Sequence, residues 1–112
     1  MPETYIIRPT KRAANERGVP RASQIIQSRV ARGFVGNLDR VSACSTIIII
    51  NDEGVSKAAS IQRVTQVPAL EGQAKPRLRI AFGTPRDLTP AEQRMSEAIT
   101  WSSSNVRYLT IP

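Results

Sequence analysis

Apolar positions along the chain fall into two rhythms, one of period two and one of three to four. Thr4-Tyr5-Ile6-Ile7 is β-branched and aromatic and is stopped by Pro9, which predicts a short strand at about residues 3–8. Pro20 suits a first helical position, and Ala22, Ile25, Ile26 and Val30 recur at helical spacing before Gly33, so a helix is predicted over about 20–32 with Gly33 as its C-terminal cap. Arg29 and Arg32 then lie near the helix end, where cations suit the dipole. Gly33, Gly36 and Asn37 read as turn residues. The run Cys44 to Ile50 is apolar at consecutive positions, the pattern of a strand covered on both faces and central in its sheet.

After the Asn51-Asp52-Glu53-Gly54 turn, Val55, Ala58, Ile61 and Val64 stand three residues apart, with Lys57 and Arg63 off that stripe. The spacing predicts a helix over about 55–66 that ends before Pro68, followed by a loop at 68–76. Arg77-Leu78-Arg79-Ile80-Ala81-Phe82 alternates basic and apolar, as a strand with one buried and one arginine-bearing face does. Thr89-Pro90-Ala91-Glu92 combines a capping box with proline at the first helical position and predicts a helix at about 90–100. Val106 to Ile111 closes the pattern as a strand. The order β-α-β-α-β-(α)-β describes an α/β sandwich, one small sheet against helices, and 112 residues suit a single domain spanning 1–112.

Charge adds a partner to this picture. The net charge is +7, and 13 of the 16 basic residues are arginine, whose planar fork suits phosphate. Residues 1–40 carry +5 of that excess and residues 41–112 carry +2. A polyanion is the expected partner, RNA ahead of DNA, met by Arg8, Lys11, Arg12, Arg17, Arg21, Arg77, Arg79 and Arg86.

Candidate catalytic chemistry is sparse. The chain has no histidine, the commonest general base and metal ligand near neutral pH. Asp52-Glu53 sits in a turn, Gly33 and Gly36 lack the lysine and spacing of a phosphate loop, and the one cysteine, Cys44, reads as a packed thiol. No enzyme activity, cofactor or metal is expected. Trp101, Tyr5 and Tyr108 each stand beside apolar residues and read as core or rim before base-stacking. The longest isoleucine run, Ile47 to Ile50, is far too short for a membrane span, and one cysteine implies no disulfide framework; a soluble, intracellular protein, cytoplasmic or nuclear, is expected.

The segment Thr46 to Thr65, TIIIINDEGVSKAASIQRVT, together with the order of elements, resembles the Alba family of small basic nucleic-acid-binding proteins. The likeness centres on Val55-Ser56-Lys57-Ala58 as the opening of a helix after an apolar strand. It implies a β-α-β-α-β-β domain that dimerises, with Lys11 and Arg12, and Arg8 beside them, on the phosphate backbone. It also implies a hairpin arm between the last two strands, at about residues 83–105. The acidic loop at Asn51-Asp52-Glu53-Gly54 and the capped helix within the arm depart from the family and are more similar to the Alba-like subunits of ribonuclease P and MRP, which pair as heterodimers on RNA.

Two roles compete for such a chain. One is a non-catalytic RNA-binding subunit of a ribonucleoprotein, as a homodimer or paired with an Alba-like partner. The other is a structural or assembly component, ribosomal, viral or phage, whose basic surface meets nucleic acid or an acidic partner. Four consecutive isoleucines need cover on both faces, so either a second chain supplies it or the helix carrying Met95 and Ile99 folds back over them.

Overall fold

The isoleucine run forms the centre of the molecule. In a computed structural model, which describes residues 2–9, 17–68, 77–102 and 104–112, β3 (Thr46–Ile49) pairs in parallel with β1 (Thr4–Ile7) and antiparallel with β4 (Lys57–Val67). On the far side of β1 lies β7 (Val106–Leu109), and on the far side of β4 lies β5 (Arg77–Phe82), which in turn pairs with β2 (Val30–Val35). The mixed seven-stranded sheet therefore runs β2-β5-β4-β3-β1-β7, with the two-residue β6 (Arg86–Asp87) added beside the start of β4. Three helices complete this α/β unit: α1 (Arg21–Ser28), α2 (Leu38–Ser42) and α3 (Pro90–Glu97).

Alternation sends the isoleucines to opposite faces of the sheet. Ile47 and Ile49 join Tyr5, Ile7, Phe34, Val41, Leu78 and Ile80 in the main core, to which α1 contributes Ala22 and Ile25. Ile48 joins Ile6 and Ala58 on the other face, where Leu88, Ile99 and Trp101 cover them. The same chain thus covers both faces of the run. The fold-back of the α3 segment is what occurs, and the bare isoleucine patch that would call for a second chain is absent.

Two predicted helices are corrected. The one predicted at 20–32 ends at Ser28: Arg29 adopts a left-handed conformation at φ 59°, its N–H reaching the Ile25 carbonyl, and the chain turns directly into β2. Gly33 does not cap that helix. It sits inside β2 at φ +90°, where the register with β5 slips between Arg32 and Phe34, and this bulge returns Phe34 to the core. Asn37 is a helix cap, its side chain accepting from the Arg40 N–H at the start of α2, a helix absent from the sequence reading.

The second correction is larger, because residues 57–67 form a strand where a helix over 55–66 was expected. Val55-Ser56-Lys57-Ala58, the helix opening in the Alba likeness, leads into β4 instead. Nor do the last two long strands make a hairpin arm: β5 pairs with β2 and β4, while β7 pairs with β1. Between them the capping box stands as predicted, Thr89 Oγ1 accepting from the Glu92 N–H and the Glu92 carboxylate accepting from the Thr89 N–H. Of the loop expected at 68–76, residues 69–76 lie outside the described residues.

Candidate nucleic-acid interface

The strands β2, β5 and β4 build an arginine-bearing face. Leu78, Ile80 and Phe82 point from β5 into the core, so Arg77, Arg79 and Ala81 point the other way. Register then fixes their neighbours. Arg79 stands directly opposite Arg32 on β2 and Thr65 on β4; Ala81 lies between Val30 and Arg63; Arg77 lies between Val35 and Val67. Four arginines, 32, 63, 77 and 79, share one side of a three-stranded sheet whose strands contain no aspartate or glutamate.

Among the described residues no carboxylate pairs with any of these four, and the Nε of Arg77, out of reach of solvent, has no hydrogen-bond partner. Like charges placed directly opposite on a sheet repel. Arg32 and Arg79 are such a pair.

The other expected contact residues are distributed differently. Arg8 donates through Nε to Asp52 at 2.9 Å and its guanidinium carbon lies 5.8 Å from the Trp101 ring centre. Lys11 and Arg12 lie outside the described residues. Arg17 is exposed in a turn ahead of α1. Arg21 serves the fold: it donates to the Arg32 carbonyl at 2.7 Å and lies 4.6 Å over the Phe34 ring, and burial lowers its pKa. Arg86 holds both oxygens of the buried Glu92, at 2.7 and 3.0 Å. Of the described members of that set, Arg77 and Arg79 belong to the shared face. Arg32 and Arg63 were missed because both fell within predicted helices, and cross-strand register, which brings them to Arg79, leaves no local signal.

The chemistry-bearing groups singled out in the sequence have structural partners. Asp52 accepts from Arg8, and Asn51 Oδ1 accepts from the Glu53 N–H across the turn. Cys44 is 5% exposed, its thiol aimed at the Arg40 carbonyl, and burial pushes its pKa up. Tyr5 is a core residue whose hydroxyl donates to the Val35 carbonyl at 2.8 Å, and Tyr108 lies half-buried under Arg40 at 3.9 Å. Among the described residues no three of Cys, Asp or Glu gather as a metal would require, and no helix is long and apolar enough to cross a membrane.

The chain matches no protein-family model, no curated protein and no solved structure.

Proposed function

We propose that this chain is a non-catalytic nucleic-acid-binding protein that holds RNA through the arginine face of β2, β5 and β4. The observation that carries this reading is the direct opposition of Arg32 and Arg79, flanked by Arg63 and Arg77, on three strands that contain no carboxylate. A polyphosphate backbone is the ligand that neutralises several such charges at once, and its displaced counterions favour binding. A sheet face lacks the projecting helix or ribbon that enters the major groove of B-DNA. Phosphates and shape, the features through which double-stranded RNA is recognised, are what it meets.

The Alba resemblance contributes the ligand class here, not the geometry, since the helix and arm it implies are strands and a capped helix in this chain. Pairing with a second copy or an Alba-like partner in a ribonucleoprotein would set two arginine faces together through surface other than the covered Ile48 side.

A salt titration of duplex RNA binding tests the proposal. With four phosphate contacts the slope of log K against log salt is expected near −3.6, and Arg32→Ala with Arg79→Ala is expected to reduce it by about 1.8. A slope unchanged in the double variant, or an affinity flat with salt, overturns the proposal. Stronger displacement of the RNA by polyglutamate than by a second RNA would favour an acidic assembly partner instead.

A further inference from the structure

The side of the sheet that carries the arginines has a second half, and it holds a cavity. Along β4 the positions Ala58 and Ser60, and past the bulge Arg63 and Thr65, face one way; Leu88, Ile99 and Trp101, from the segments flanking α3, cover the Ala58 end and the arginines occupy the other. Beside α3, between the 50–56 segment and Trp101, opens a cavity of about 520 Å³, the size of a small-molecule site. Its apolar wall is formed by Ile50, Val55, Leu88, Ile99 and Trp101. Val55 is 64% exposed, the one large hydrophobic so exposed among the described residues.

Three features of the lining suit one kind of ligand. Trp101 is held in place before anything binds: Arg107 lies 5.1 Å from its ring centre and donates to the carbonyls of Thr100 and Val106. Arg8 engages Asp52 through Nε alone, so its terminal N–H groups have no partner among the described residues. The remaining polar lining includes Asp52 and Glu97, which accept hydrogen bonds. An indole held by Arg107, a cation whose terminal N–H groups have no partner among the described residues, and two carboxylates match a planar, N–H-bearing, phosphorylated ligand.

We infer that this cavity takes one unpaired nucleotide, its base against Trp101, its N–H edge toward the Glu97 carboxylate and its phosphate on Arg8. This deepens the nucleic-acid reading: a flat arginine face holds a duplex without reading sequence, whereas an unstacked base at a bulge or end is recognised on an aromatic side chain. Guanine, with two adjacent N–H donors on its pairing edge, fits the acceptors better than uracil.

Trp101 is the only tryptophan of the chain, so its fluorescence reads the cavity directly. Guanosine 5′-monophosphate is titrated at high salt, where a purely electrostatic face no longer holds a strand. Saturable quenching is expected, at least tenfold weaker in Val55→Glu, whose exposed position leaves folding intact. Uridine 5′-monophosphate should bind less tightly, and inorganic phosphate should not quench. No saturation at millimolar nucleotide, quenching indifferent to Val55→Glu, or equal quenching by phosphate overturns the inference, whatever the duplex titration gives. Conversely, saturable nucleotide quenching with flat duplex binding keeps the cavity and removes the arginine face. A duplex with one overhanging guanosine that quenches well below the mononucleotide concentration identifies a strand as the source; equal concentrations identify the free nucleotide.

Discussion

Arg86 and Glu92 meet in a two-pronged ion pair, and the same carboxylate accepts the Thr89 N–H at 2.8 Å, so one buried side chain both starts α3 and ties it to β6. Arg86 lowers the pKa of Glu92 against the opposing effect of burial. A carboxylate whose folded pKa is depressed contributes stability that is complete above its unfolded value, about 4.3, and is lost as the pH falls through the folded value. Glu92→Gln is therefore expected to cost about 2 kcal/mol at pH 7 and progressively less toward pH 3. Urea unfolding of both proteins across that range checks the convergence; a constant difference would contradict the role of charge.

Arg21, basic and early in the chain, behaves as a structural residue here. Its substitution by alanine removes the donor to the Arg32 carbonyl at the bulge and uncovers the Phe34 ring. A loss of about 1–2 kcal/mol is expected by thermal melting, with the salt slope of RNA binding unchanged. A slope that drops as it does for Arg32→Ala would place Arg21 in the interface.

Gly36 leaves no room for a side chain. A Cβ there would lie 2.8 Å from Leu78 Cδ1, 3.0 Å from Tyr108 Oη and 3.1 Å from Val41 Cγ2. Gly36→Ala is expected to destabilise the protein by about 1–3 kcal/mol, read as a lower midpoint in urea. A variant as stable as the parent would show that the β2–α2 junction shifts freely.

The thiol of Cys44 is expected to stay unreactive toward a disulfide reagent at neutral pH in the folded protein, since it is buried and its pKa is raised. It should react fully once guanidinium unfolds the chain. Rapid labelling under native conditions would mean that the α2–β3 junction opens readily.

What the sequence hid follows from two bulges. A strand keeps an apolar residue at every second position, but an extra residue stretches one step to three. In β4 the core side runs Ala59, Ile61, Val64, the last step lengthened at the slip between Ile61 and Arg63, and with Val55 and Ala58 it imitates a helical stripe. In β2 the step from Ala31 to Phe34 is lengthened at Gly33, and Val30 joins the end of the preceding helical pattern. The unbulged strands β1, β3, β5 and β7 and the capped α3 were legible because their signals are local. The arginine face was half legible: alternation in β5 exposes Arg77 and Arg79, whereas Arg32 and Arg63 reach them only through pairing between distant segments.

The place of β1 in the sheet also sets an order of events in folding. Thr4 stands opposite Thr46 on one side and Leu109 on the other. Both contacts close very long stretches of chain, and such non-local pairing slows folding relative to the local β4–β5 and β3–β4 contacts. The β3-β4-β5 ribbon, with Arg63, Arg77 and Arg79, is thus able to assemble before the N-terminal strand docks between β3 and β7. The amides of β1 are expected to gain protection from hydrogen exchange last, and with them the Arg8 side of the cavity takes shape.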